Sequence, residues 1–407
     1  MKIRAITSFF DPLFNPDGDF LGNLSRCSAE LSAALTATGY IVQSQRVATN
    51  PFPQWLHQVS RDEWHDRILN LAQETTRLGW QYTSVGPALP SSIADFGMIP
   101  NILTAHPGLF AGGVLADRGI LFPSAAQAAA NVITECAQKT PDGFTNLRFA
   151  ALCNVRPYAP FLPAAYAETG QHPAIALAIE CADEVVNAFD KAGSLESGTN
   201  ELLAALEYHA NLMSEKCQAI CDRYSVIFKG FDFSPAPYPE EWCSLGKALE
   251  SLGVTQLGGF GSLAAAAYLA STLDMGKWKR TGFNGLMLAV LEDSTLALRA
   301  AEGALTIKDL LLYSAVCGTG LDTIPLPGET GAEQLTALLL DLGALSVRLN
   351  KPLTGRLMPI PGKNAGDETD FDFEFFARSR VMDLESLPVT DPLASASKAA
   401  IHPRNAD

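Results

Sequence analysis

Cys317 and Asp322 stand five residues apart in Ser314-Ala-Val-Cys317-Gly-Thr-Gly-Leu-Asp322-Thr-Ile-Pro-Leu-Pro327, a thiol and a carboxyl where a predicted helix gives way to a predicted strand. Thr306 and Asp309 have the spacing of a capping box, Leu310, Leu311, Tyr313, Ser314 and Cys317 recur at helical intervals, and Gly318 is a natural stop. A thiol there meets the negative end of the helix dipole, which opposes thiolate formation, so Cys317 reads either as a catalytic thiol or as an apolar filler. Asp322 lies inside the apolar run 321–326. A carboxyl buried in such a strand needs a partner, and burial raises its pKa, which suits acid–base chemistry. Asp232, at the end of a predicted strand and before Ser234-Pro235, is a second candidate base, or else a turn residue that caps local amides.

Positive charge and free backbone amides for an anion are found elsewhere. Gly259, Gly261 and Ser262 form a glycine loop between a predicted strand and helix, where amides and the helix dipole can hold a carboxylate or phosphate. The same loop also fits a plain tight turn, and it lacks the downstream acid of a dinucleotide site. Arg356 sits in an otherwise apolar strand, so it needs a carboxylate, either Asp322 or Asp232 or one brought by a ligand. Lys363 follows on a Pro-Gly loop, as an anion ligand or an ion-pair partner of Asp367. Arg156 lies in a Pro-rich loop and is a further candidate for a substrate carboxylate. His209, Cys217 and Cys221 share one helix face, a pattern of core packing rather than of a metal site, and no metal is assigned.

The elements that must position these groups alternate. Strands are predicted at 2–9, 40–47, 147–155, 226–233, 254–257, 286–291, 321–326, 344–349, 354–360 and 371–375. Helices are predicted at 24–38, 64–78, 124–139, 196–223, 263–273 and 294–301, with capping boxes at Ser60 and Thr330 and a helix opening at Pro239. Strand after helix over so long a stretch specifies a mostly parallel α/β sheet or barrel. No linker divides the chain, so one domain is expected over 1–383, followed by a polar, loosely ordered tail at 384–407.

Composition excludes several classes. At 47% hydrophobic and 18% charged the chain can bury a large core. A net charge of -15 argues against nucleic acid and anionic membrane surfaces. No apolar run reaches the roughly 18 residues of a membrane helix, and no secretory leader is visible. The eight cysteines are scattered, which fits free buried thiols in the cytoplasm.

The succession Asp232-Phe-Ser-Pro235-Ala-Pro237, Gly258-Gly-Phe-Gly261-Ser, Cys317-Gly-Thr-Gly-Leu-Asp322-Thr-Ile-Pro325 and Thr354-Gly-Arg356-Leu-Met-Pro-Ile-Pro-Gly-Lys363-Asn-Ala-Gly-Asp367 resembles the domain of unknown function 711 family, also called uncharacterised protein family 0210. Ile3-Arg-Ala-Ile-Thr7 resembles that family's start, so the likeness covers nearly the whole chain. It implies a pyruvate formate-lyase-like fold: a ten-stranded closed α/β barrel of two parallel five-stranded halves around a finger loop, with Cys317 at the place of a thiyl cysteine. The chain departs from the family at Ala167 and Gln171, where relatives carry a His- and Glu-bearing segment, and at 105–114. The C-terminal glycine motif of glycyl radical enzymes is missing, so the implied chemistry is non-radical. The expected function is a cytoplasmic enzyme acting on a small anionic metabolite by lyase, isomerase or hydrolase chemistry. Alternatives are a non-catalytic sensor of the same fold and, more distantly, a nicotinamide oxidoreductase. No cofactor is assigned. The expected partners are the metabolite and, as an open alternative, further copies of the chain.

Overall fold

The computed structural model describes residues 1–14, 19–316 and 319–403, and Cys317 therefore lies outside the described residues. Eleven strands form one sheet: β1 (Lys2–Phe10), β2 (Gln45–Thr49), β3 (Tyr82–Ala88), β4 (Leu109–Asp117), β5 (Ile120–Leu121), β6 (Phe149–Cys153), β7 (Ala174–Glu180), β8 (Ile227–Asp232), β9 (Gly320–Pro327), β10 (Leu353–Ile360) and β11 (Ala399–Ala400). The main path runs β8-β7-β1-β2-β3-β4-β6-β10-β9, and β11 returns to pair with β5 beside β4. β1, β2, β3, β4 and β6 are parallel to one another, and antiparallel joins at β1/β7 and β6/β10 connect them to the pairs β7/β8 and β9/β10. The ladder leaves β8 and β9 as its ends, and hydrogen bonding does not close it. The 280–290 segment meets both ends, through isolated parallel bridges of Arg280 to Phe231 and of Ala289 to Asp322.

Alternation along each strand separates two faces. Ile175, Leu177 and Ile179 of β7, Ile3 and Ile6 of β1, and Val47 of β2 join the large core beneath the helices. The other face is lined by small side chains: Ala174, Ala176 and Ala178 of β7, Ala5 of β1, Ala48 of β2 and Ala150 of β6. Small residues leave depth there, and the Pro-rich loop after β6 fills it with Tyr158, Phe161, Leu162 and Ala164. Thr7 Oγ donates to the carbonyl of Pro160 and Ser84 Oγ to that of Ala165, which pins the loop against the sheet. The loop thus faces the strands rather than water.

Several expected strands take another form. Residues 344–349 are the last turns of a helix, Ala332–Leu349, whose apolar residues bury Leu342, Gly343, Ser346 and Val347. The short window Leu345 to Asn350 alternates by accident of a helical face, and the longer periodicity from Leu335 prevails. Residues 254–257 and 371–375 form no strand, and 286–291 contributes only the single bridge at Ala289. The predicted strand 147–155 contracts to β6, with Leu147 in a preceding 3-10 turn. Ser60 caps no amide, since its hydroxyl donates to Glu63 instead. The box expected at Thr330 shifts to Gly331, whose amide donates to Gln334. Pro239 opens no helix; Ser244 caps the one that follows, at Leu245–Ser251. The Thr306–Asp309 box is present as expected. Among the described residues no helix is long and apolar enough to cross a membrane, and seven cysteines are free and buried.

Candidate functional site

Arg356 is the fourth residue of β10 and projects from the small-residue face, between Thr354 and Met358. It is 8% exposed and is held by two carboxylates. Its Nε donates to Asp322 Oδ1 at 2.5 Å, across the β9/β10 ladder, and one terminal nitrogen donates to Glu292 Oε1 at 2.7 Å. Arg4 of β1 binds the other oxygen of Glu292 and also donates to Glu180 Oε2 at 3.0 Å. Glu180, the last residue of β7, also accepts from Gln43 Nε2 at 2.8 Å and lies 3.5 Å from Lys2 Nζ. Four strands, β1, β7, β9 and β10, and the loop after 290 therefore converge on one buried chain of charge.

The electrostatics follow from that order. Burial works against ionising Glu292, but Arg356 and then Arg4 outweigh it and hold the carboxyl below the usual glutamate range. Arg356 is likewise burdened by desolvation, yet Asp322 and Glu292 raise its pKa above the ordinary arginine value. Arg46 of β2 is the exception. It is half-buried, and desolvation followed by repulsion from Arg4 pushes it down to about 9. Its Nε donates to Ser44 Oγ at 2.9 Å, and its guanidinium lies 5.7 Å from the Tyr82 ring centre. Among the described residues no carboxylate comes within ion-pair reach of it. Asp322 Oδ2 is likewise left without a hydrogen bond among the described residues, while Oδ1 is fixed by Arg356. The cluster thus offers a cation without an ion-pair partner and a carboxylate oxygen without a hydrogen bond among the described residues.

The other predicted residues lie elsewhere. Asp232 is fully buried at the end of β8 and accepts from Ser234 N and Oγ, Phe283 N and Asn284 N. Burial raises its pKa and those four bonds only partly reverse the shift. Its oxygens are occupied in tying the 281–285 segment to the sheet. Gly259, Gly261 and Ser262 form the start of the helix Ser262–Met275. Gly261 has φ +102°, and Ser262 Oγ accepts from Gly258 N at 3.1 Å, inside the loop itself. That loop packs on the helical layer, where a Cβ at Gly258 would collide with the Ala304 carbonyl. Arg156 is exposed, 3.7 Å from Asp117. Lys363 pairs with Asp370 at 3.2 Å rather than with Asp367, which caps Asn364 N. Among the described residues, the structure therefore unites Asp322 with Arg356 and leaves Asp232, Gly259, Gly261, Ser262, Arg156 and Lys363 apart from them.

Comparison with other proteins agrees with the sequence likeness. The family profile described as "Uncharacterised ACR (DUF711)" matches residues 1–378. The chain belongs to this family. A UPF0210 protein of Methanopyrus kandleri is 29% identical over 364 residues, 85% of this chain and 80% of its own length. One from Syntrophobacter fumaroxidans is 25% identical over 402 residues, 91% and 88% of the two chains. A third, from Pyrobaculum arsenaticum, is 32% identical over 232 residues, 55% of this chain and 51% of its own.

Four residues of the charge cluster of this DUF711 chain escape a motif-based reading: Arg4, Arg46, Glu180 and Glu292. All but Arg46, which follows Gln43-Ser-Gln45, have a local signal of the kind that singles out Arg356, a charge inside or at the end of an apolar run. Arg4 interrupts Ile3 to Phe10, Glu180 ends Ala174 to Ile179, and Glu292 ends Leu286 to Leu291. An isolated charge in a buried strand must find an opposite one, so these three could have been set against one another.

Proposed function

We propose that the protein is a cytoplasmic, non-radical enzyme that takes a small anionic metabolite at Arg46 and moves a proton through Asp322 Oδ2. The observation that carries this reading is the unpaired Arg46 guanidinium beside a cluster whose other arginines are already balanced. Arginine hardly ever gives up its proton, so a desolvated guanidinium is relieved by an anion instead. Asp322 is held by one oxygen, which orients the other and leaves it free to abstract or return a proton. Lyase, isomerase and hydrolase steps all use such a base. Buried free thiols and a markedly acidic composition support a cytoplasmic setting.

The finer fold that goes with this reading is the pyruvate formate-lyase-like barrel. Its second five-stranded half would be β7, β8, the 280–290 segment, β9 and β10. Support comes from the parallel bridges that this segment makes to both sheet ends. Isothermal titration with acetate, benzoate and inorganic phosphate tests the site. At least one anion is expected to bind, and Arg46→Gln is expected to weaken it tenfold or more, about 1.4 kcal/mol. Equal binding by that variant, or no binding by any anion, overturns the reading. Once a turnover assay exists, Asp322→Asn should abolish turnover while the anion still binds.

A further inference from the structure

The anion site at Arg46 has a shape and a charge of its own. Ser44 occupies the Nε edge of the guanidinium, so the end carrying the two terminal nitrogens is the free one. Two parallel N–H donors in one plane match the two oxygens of a carboxylate.

Charge sets the valence. The cluster holds four cations, Lys2, Arg4, Arg46 and Arg356, against three carboxylates, Glu180, Glu292 and Asp322. The excess is one positive charge. A single negative charge neutralises it, whereas a second would face Glu292 without a counter-ion. The wall beside Arg46 is aromatic. Arg46 and Tyr82 are paired in register on adjacent strands, and Tyr82 meets Phe110 edge-on with ring centres 5.5 Å apart. Tyr82 is 38% exposed, so this wall is reachable from solvent at the edge of the small-residue face. A group bound end-on at Arg46 places its carbon frame against those rings, which favour flat π surfaces in offset or edge-on contact.

We infer that the ligand is a monocarboxylate with an unsaturated or aromatic carbon frame, recognised end-on by Arg46 and stacked on Tyr82. This rests on the anion site proposed above and narrows it. The test is isothermal titration of the full chain with benzoate, acetate and inorganic phosphate, against wild type, Arg46→Gln, Tyr82→Phe and Tyr82→Leu. Benzoate is expected to bind at least tenfold more tightly than acetate or phosphate. Tyr82→Leu should remove that advantage while leaving acetate affinity unchanged, Tyr82→Phe should keep it, and Arg46→Gln should weaken both carboxylates. If phosphate binds most tightly, or benzoate no better than acetate, with dependence on Arg46 intact, the monocarboxylate assignment fails and the anion site stands. If Tyr82→Leu leaves the benzoate advantage in place, stacking on Tyr82 is wrong. If no anion binds, both readings fall together.

Discussion

Arg356 donates to Asp322 and Glu292 at once; Asp322 has no other hydrogen-bond partner among the described residues, while Glu292 shares its neutralisation with Arg4. Removing one member of a buried pair leaves an uncompensated charge, which costs about 3–5 kcal/mol. Arg356→Met is therefore expected to lower stability by that amount, read as a shift of the urea midpoint. Arg356→Met combined with Asp322→Leu should recover part of the loss, because one orphaned carboxylate is gone. Additive single-variant effects would show that the two side chains are not coupled. Arg46→Gln should behave differently, since no described carboxylate is ion-paired with it and Glu292 feels it only at longer range, after Arg356 and Arg4; its stability should stay close to that of the wild type. The contrast separates a residue that holds the cluster together from one that offers a charge to something else.

At the scale of elements, the decisive feature is the run of alanines on one face of β7. Ala174, Ala176 and Ala178 are fully buried and leave space for the Pro-rich loop, while Ile175, Leu177 and Ile179 fill the helical side. Enlarging one of them forces the loop outward, at about 1–3 kcal/mol for overpacking. Ala176→Leu should thus lower the thermal midpoint, while Ile175→Val, on the other face, should cost only about 0.5–1.5 kcal/mol. Asp232 performs a related task at the end of β8, where four donors converge on it. Asp232→Asn turns one acceptor into a donor pointed at backbone N–H groups. A buried donor left without a partner costs about 1–3 kcal/mol. Hydrogen exchange at the Phe283 and Asn284 amides should rise with it, and unchanged protection there would refute the anchoring role.

For the whole molecule the acidic groups pull in opposite directions with pH. Glu292 has a folded pKa below its ordinary value, through Arg356 and Arg4 overcoming burial. Its stabilising share is complete above the unfolded glutamate value of about 4.3 and is lost as pH falls through the lower folded pKa. Asp232 and Asp293, the latter capping the helix Ser294–Ala301 through Thr295 N and Leu296 N, are both held above the ordinary aspartate range by burial. Folding favours their protonated forms, so they add stability as pH falls from above their folded values towards the unfolded one. A urea series from pH 7 to pH 3 should show stability falling below about pH 4.3 in the wild type. Glu292→Gln should start lower at pH 7 and flatten that part of the curve. Parallel curves for the two proteins would mean that Glu292 is not preferentially ionised in the fold.

Much of this arrangement was written in local sequence. The alternation of strand and helix, the Thr306–Asp309 cap, β8, β9, β10 and the need of Arg356 for a carboxylate all follow from spacing and from the cost of an isolated buried charge. Asp322 was legible as its partner for the same reason. Local pattern failed where two periods coincide over a few residues, as at 344–349, where a helical face imitates a strand. It also failed at 286–291, whose apolar run signals burial but does not say whether a ladder partner lies alongside. The meeting of Arg4, Glu180, Glu292 and Arg46 with Arg356 could be decided only by the tertiary structure. These residues come from strands and a loop separated by up to 352 positions, and only the register of β1, β2, β7 and β10 brings their charges within reach of one another.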